Sequence, residues 1–255
     1  MRAAGVETPR LDAEVLLAEA TGWERARLIA DPDAELQPAA GRLFGEMVRR
    51  RLRREPVAYI IGRRGFRRIE LEVDRRVLIP RPETELLVEL ALERGPATLL
   101  DVGTGSGAIA LAVADELQDC EVVATDTSDD ALEMARANAN RLGLEQRVRF
   151  QLGTLPAEED FELILANLPY VAERDWPGLQ PEVTAWEPRQ ALLGGPDGLD
   201  PIRTLIPLVE VGTLALEVGE GQAPAVGELL KQSGFSAIET RVDLAGIERV
   251  VLGER

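Results

Sequence analysis

The chain has 255 residues, 45% of them hydrophobic, enough for one large core or two modest ones. It contains no histidine and one cysteine, Cys120, which excludes an internal disulfide, a Cys/His metal cluster, and Ser-His-Asp or Cys-His catalysis. The net charge of −16 is uneven: residues 1–75 hold 15 Arg against 13 Asp and Glu, +2, and residues 76–255 hold 14 Arg and Lys against 32 Asp and Glu, −18, a poor surface for nucleic-acid phosphates.

No apolar run is long enough to span a membrane, and the opening MRAAGVETPRLDAE lacks the apolar segment of a secretory signal. The expectation is a cytoplasmic, metal-free protein. PRLDAEVLLAEA (9–20) places Leu11, Val15, Leu16 and Ala20 at helical spacing, with Gly22 to end the helix. Residues 38–54 repeat the pattern with Leu43, Phe44, Met47, Val48 and Leu52. The run Arg49 to Arg54 reads as a solvated helix face, or as a contact to an acidic partner or RNA. VAYIIG, FRRIELEV and RVLI then read as short strands, and a hairpin links the helical module to the remainder of the chain.

From Glu83 onward helices and strands alternate. ETELLVELALERG, SGAIALAVADEL, DDALEMARANANRLG, GLDPIRTLIPLVEV and APAVGELLKQSG read as helices; ATLLDV, EVVATD, VRFQLG, FELILA and TLALEVG read as strands. SAIETRVD and IERVVLGE form a final antiparallel pair. Strands separated by helices of this length imply crossovers and a mainly parallel sheet. The predicted architecture is α/β: a seven-stranded Rossmann-like domain over residues 75–255 behind a small helical domain with its hairpin link over residues 1–74. Cys120 reads as a small core hydrophobe.

LLDVGTGSGAIALA (99–112) carries Gly103, Gly105 and Gly107 between a strand and a helix. Glycines allow a tight turn and close approach of a ligand, and ligands of open α/β sheets bind beyond the carboxyl ends of the strands. Asp126, ending the next strand, suits two ribose hydroxyls. The spacing is G-x-G-x-G rather than the dinucleotide G-x-G-x-x-G, and Asp101 before it suits a cation better than a pyrophosphate. This is the pattern of S-adenosylmethionine-dependent methyltransferases; the plain alternative is a glycine-rich turn without a ligand.

In ANLPYV (166–171) a buried strand ends in an amide, a proline and a phenol. The Asn167 side-chain carbonyl and the Leu168 backbone carbonyl can accept the two N–H groups of a planar amide or amine, and Tyr170 can stack on it. Acceptors so placed favour the transition state of a methyl transfer, and the cofactor carries the reactive group. The plain alternative is a capped strand end with Tyr170 in the core.

On REPVAYIIG (54–62), VLIPRPETELLVE (77–89), DVGTGSGAIA (101–110), ATDTS (124–128), ANLPYV and EPRQALLGGPDGLDPIR (187–203), the chain resembles the protein-(glutamine-N5) methyltransferases of peptide chain release factors over nearly its whole length. The resemblance implies methylation of the side-chain amide of the glutamine in the release factor's Gly-Gly-Gln loop, with S-adenosylmethionine as cofactor. It implies a methyl-transfer and substrate site at Asn167, Leu168, Pro169 and Tyr170. Cofactor contacts are expected from Asp101, Gly103, Thr104, Gly105, Ser106, Gly107, Asp126, Thr154, Leu155 and Asn167. Arg81, Glu83 and Thr84 could line the roof of the site, or simply start a helix; Glu187 could brace the substrate loop, or belong to an ordinary turn. Two departures stand out. Leu168 replaces the second-position proline of the family's Asn-Pro-Pro-Tyr, which lowers preorganisation. Thr154 and Leu155 stand where the family often has Asp and an aromatic beside adenine. GGPDGLD (194–200) reads as a turn into a helix. Alternatives are glutamine methylation on a ribosomal protein, methylation of a nucleic-acid base amine, a nicotinamide-dependent oxidoreductase, and an inactive binding module.

Overall fold

The computed structural model describes residues 1–156 and 159–255. The helices are α1 (Pro9–Thr21), α2 (Arg25–Ala30), α3 (Pro38–Leu52), α4 (Val57–Ile61), α5 (Glu85–Arg94), α6 (Ala108–Glu116), α7 (Asp129–Leu142), α8 (Pro181–Trp186), α9 (Asp200–Leu205) and α10 (Ala223–Gln232). The strands are β1 (Arg63–Phe66), β2 (Ile69–Glu72), β3 (Thr98–Val102), β4 (Glu121–Asp126), β5 (Val148–Leu152), β6 (Leu163–Ala166), β7 (Thr213–Glu217), β8 (Ser236–Val242) and β9 (Glu248–Glu254). They form two units, residues 1–63 with 180–186, and residues 64–179 with 187–255.

The first unit is helical. Both α1 and α3 begin with proline, where its missing N–H costs nothing. Their inner faces meet at Leu16 and Met47, joined by Ile60 of α4, with Phe44 and Val57 beside them. This apolar centre is small, and buried charges supplement it. Arg51, 6% exposed, donates to Asp12 of α1 at 2.6 Å and pairs with Glu182 of α8 at 2.7 Å. Arg54 pairs with the same Glu182 carboxylate, and Arg50 pairs with Glu55 at 2.6 Å. The expected solvated arginine face is therefore corrected at Arg51, which is buried, and at Arg54, which is half-buried in its ion pair, while Arg50 keeps its side chain 43% exposed beside Glu55.

Two strand expectations are also corrected. VAYIIG forms α4, because Pro56 opens a turn whose carbonyl accepts the Ile60 N–H at 3.0 Å, and Gly62 closes it at φ 79; five apolar residues fit either period. RVLI is irregular, since the Val77 N–H turns back to the Asp74 carbonyl at 3.1 Å and the Asp74 carboxylate is held by Arg76. GLDPIRTLIPLVEV yields only α9 and a single 3-10 turn, Ile206–Leu208, because Pro207 supplies no N–H for an α-helical bond.

The second unit is a seven-stranded sheet in the order β5-β4-β3-β6-β7-β9-β8. Strands β3 to β7 run parallel; β9 pairs antiparallel with β7 and with β8. Both faces are covered, as a parallel sheet requires. One face packs Leu99, Leu163 and Leu165 against α5 and α6, and the other packs Leu100, Ile164 and Leu214 against α9 and α10. Strand order reverses between β3 and β6, so the loops leaving these neighbours diverge and open a crevice at their carboxyl ends. Among the described residues no helix is long and apolar enough to cross a membrane.

Candidate active site

The loop after β3 is built before any ligand arrives. The N–H groups of Gly103 and Thr104 both reach the Thr125 carbonyl at the end of β4, at 2.8 and 2.9 Å. Gly107 sits at φ 85 at the start of α6, where a Cβ would lie 2.8 Å from Leu111 Cδ1, so both backbone and space select glycine. Asn138 of α7, 0% exposed, donates to the Ser106 and Glu72 carbonyls at 3.0 Å and accepts the Glu72 N–H at 2.7 Å, tying loop and β2 together.

Asp101 is not open at the loop entrance. It is 0% exposed beneath the loop, where its Oδ2 accepts from the Thr104 hydroxyl at 2.6 Å and the Ala110 N–H at 3.1 Å. Its Oδ1 has no partner among the described residues. Burial pushes its carboxyl up to about 7, against the opposing pull of those two donors. Asp126 does face the crevice, and its carboxylate accepts from the Gly105 N–H at 3.0 Å and the Ser128 N–H at 2.9 Å.

A cleft of about 440 Å³ brings together Gly103, Gly105, Asp126, Asn167 and Pro169, with Arg76 to Leu78 and Pro188, Gln190 and Ala191 completing the wall. That size suits a small-molecule site. An adjoining recess is lined by Arg81, Thr84, Thr104 and Ser106 and shares Gly103, Gly105 and Asn167 with the cleft. Other expected residues lie elsewhere. The Leu168 side chain packs with the core beside Gly103. Leu155 lines a separate cleft with Phe161 and Ile164, and the Thr154 carbonyl accepts the Thr125 hydroxyl at 2.8 Å. Glu83 borders a groove with Glu85, Glu89 and residues 242–245. Glu187 is buried and braces the IPRP segment by accepting the Ile79 N–H at 3.0 Å and pairing with Arg81.

Below the ANLPY segment lies a polar network. Asn167 Nδ2 donates to Thr84 Oγ1 at 2.9 Å, and the Tyr170 hydroxyl donates to Glu217 Oε1 at 3.4 Å. Tyr170 is thus directed at β7 rather than presented to the cleft as a stacking platform. Burial pushes the Glu217 carboxyl up to about 7; the Thr84 hydroxyl, Tyr170 and Arg249 oppose that rise and Glu83 adds to it. The main chain is clamped as well: Gln222 Nε2 donates to the Tyr170 carbonyl at 3.0 Å, and the Val171 carbonyl accepts the Gly194 N–H at 2.9 Å. GGPDG is therefore more than a turn into a helix. Glu217 had one signal in the sequence, a carboxylate inside an otherwise apolar strand, TLALEVG; Gln222 had none.

The residues present fit an adenosyl sulfonium cofactor. Asp126 supplies a half-buried carboxylate facing the cleft at the end of β4, Gly103 and Gly105 supply open backbone, and Asp101 lies beneath the loop with Oδ1 unpartnered among the described residues.

Residues 1–62 match the family described as PrmC N-terminal domain, and residues 82–179 match Methyltransferase small domain. The chain is 40% identical to a release factor glutamine methyltransferase of Caulobacter vibrioides, covering 99% of this chain and 92% of that one. It is 42% identical to the protein of the same name from Geobacter sulfurreducens, covering 98% and 90%. Among solved structures, a methyltransferase from Pyrococcus furiosus superposes with TM-score 0.54 at 19% identity over 72% of this chain and 87% of that one, a likeness of fold.

Proposed function

The chain belongs to the release factor glutamine methyltransferase family, and from that premise we infer that it methylates the side-chain amide nitrogen of the glutamine in the Gly-Gly-Gln loop of peptide chain release factors. The observation that carries this reading is that Asn167 and Pro169 share one cleft with Gly103, Gly105 and Asp126. A methyl donor and a planar acceptor therefore have adjoining places to bind.

S-adenosylmethionine, when bound, supplies a methyl carbon made electrophilic by sulfonium. Asp126, Gly103, Gly105 and the loop through Gly107 would hold it, with Asp101 acting from beneath; Thr154 and Leu155 take no part in the cleft wall. Asn167 Oδ1 and the Leu168 carbonyl accept the two N–H groups of the glutamine amide. Their pull would raise electron density on the amide nitrogen they hold. The bound donor would supply the methyl group, its sulfur keeping the bonding pair, and the amide nitrogen would give up one proton to solvent. Positioning and exclusion of water supply the catalysis. Leu168 contributes only its backbone carbonyl, so its replacement of proline is tolerated. Arg81 and Glu187 shape the rim through the IPRP segment.

The helical residues 1–74 recognise the release factor, and residues 75–255 perform the transfer. The −18 charge of residues 76–255 favours a protein substrate over a nucleic-acid base. The enzyme acts in the cytoplasm, where release factors work. The test is mass spectrometry of a release factor incubated with enzyme and cofactor. One added methyl on the loop glutamine, absent with Asn167→Ala while cofactor binding persists, is the expected result; methyl transfer undiminished by that substitution refutes the assigned role.

A further inference from the structure

S-adenosylmethionine carries three charges: two cations, the sulfonium and the amino group, and one anion, the carboxylate of its methionine end. The cleft that would hold it offers little to the anion. Its wall bears the Asp126 and Asp130 carboxylates, and the Arg76 guanidinium that also lines it is already engaged. Arg76 Nε and Nη2 donate to the two oxygens of Asp74 at 2.8–3.1 Å.

The adjoining recess has the opposite character. It shares Gly103, Gly105 and Asn167 with the cleft, and none of the described residues lining it is acidic, although residues 76–255 carry a net −18. Arg81 brings a guanidinium to it, and Thr84, Thr104 and Ser106 bring hydroxyls. Ala108 and Ile109 bring the first turn of α6, whose dipole favours negative charge. The volume, about 50 Å³ against about 440 Å³ in the cleft, admits a group of a few atoms and not a nucleoside.

Arg81 is held ready for such a group. Its Nη2 donates to Glu187 Oε1 at 2.5 Å, while Glu187 Oε2 accepts the Ile79 N–H at 3.0 Å. The Glu187 side chain is 2% exposed, so it anchors the guanidinium from inside the protein. Nε and Nη1 of Arg81 keep no protein acceptor among the described residues. A guanidinium presents paired N–H donors that match the two oxygens of a carboxylate.

We propose that Arg81, steadied by Glu187, receives the carboxylate at the methionine end of the methyl donor. Arg81 is thereby a cofactor-binding residue and Glu187 a positioning residue. The proposal deepens the methyltransferase reading and rests on it for the identity of the ligand.

The test removes one charge from the ligand and one from the protein. Calorimetry on the full chain compares S-adenosylmethionine with its decarboxylated form, which keeps the sulfonium and the amino group. The wild type should bind the intact compound about tenfold or more tightly, the effect of one charge-assisted contact. Arg81→Met should weaken the intact compound by about that factor and leave the decarboxylated one unchanged, its retained affinity being the check on folding. Equal affinity of the wild type for both compounds overturns the assignment without any variant. So does an Arg81→Met protein that weakens both alike, or a preference that disappears in Arg76→Met and survives in Arg81→Met. A wild type that binds neither compound sinks the methyl-donor reading and this assignment together, whereas methyl transfer without any preference between them sinks this assignment alone.

Discussion

Gly198 lies behind the tetrapeptide, and replacing it with alanine separates two costs. Its φ is 84, a left-handed conformation that an L side chain adopts at about 1–2 kcal/mol. Its added Cβ would also fall inside the van der Waals boundary of the Tyr170 carbonyl oxygen and 2.7 Å from Gln222 Nε2. Backbone cannot yield as a flexible side-chain tip can, so overpacking adds about 1–3 kcal/mol. Gly221 supplies the control. Its φ is 81, and a Cβ there meets nothing within 4 Å, so only the backbone cost applies. Gly198→Ala should therefore lose about 2–5 kcal/mol by denaturant unfolding, and Gly221→Ala about 1–2 kcal/mol. Function should separate them further. Displacing the Tyr170 main chain moves the acceptor pair, and a misplacement near 1 Å lowers kcat by roughly a hundredfold. Methyl transfer measured alongside cofactor binding should show that loss in Gly198→Ala alone, with cofactor affinity retained. Equal unfolding losses in the two variants and a wild-type kcat in Gly198→Ala would show that the loop does not brace the site.

Arg51→Ala strips the buried partner from Asp12 and Glu182, and thermal or urea unfolding should register about 3–5 kcal/mol of lost stability; Asp12→Ala added to it should cost much less than it does alone, and full additivity would contradict the pairing. Glu217 gives a pH signature. Its carboxyl lies near 7 when folded against the ordinary 4.5, so the fold holds its proton more tightly than the unfolded chain does. That contribution is present below about 4.5 and is lost as pH rises through 7, a change of roughly 3 kcal/mol. In Glu217→Gln the stability curve should lose this downward component between pH 4.5 and 7, and an unchanged curve refutes the assignment. Glu187→Ala leaves the Ile79 N–H without an acceptor and frees Arg81, and should cost about 1–3 kcal/mol in unfolding free energy; no loss would mean the IPRP segment is held by other contacts.

The parallel sheet was legible because its strands are short apolar runs punctuated by glycine and separated by helical periods. The same held for the two loops that matter: Gly103 to Gly107 and the ANLPY segment sit at adjacent carboxyl ends, β3 and β6, as alternation of strand and helix implies. What failed to show were features decided by distant partners. VAYIIG is too short for its period to discriminate strand from helix. Arg51 looks like any surface arginine until Asp12 and Glu182 are brought to it across 39 and 131 positions of chain. Asp101 sits beside the right loop in sequence, yet the pleat turns it beneath, where it supports the loop through Thr104 and Ala110 without exposure. Gly194 and Gly198 resemble turn formers because the backbone they must clear belongs to residues 169 and 170.

Helix α8 has an unusual genealogy: it lies between β6 and β7 in the chain but is counted with the N-terminal helices. A growing polypeptide must therefore synthesise some 180 residues before the guanidinium groups of Arg51 and Arg54 receive the carboxylate of Glu182. A fragment cut after the first four helices would hold both cations permanently without that shared anion. The N-terminal module, though begun first, is complete only after residue 186 has been added, once the loop following Asn167 has been laid down and before β7, β8 and β9 exist.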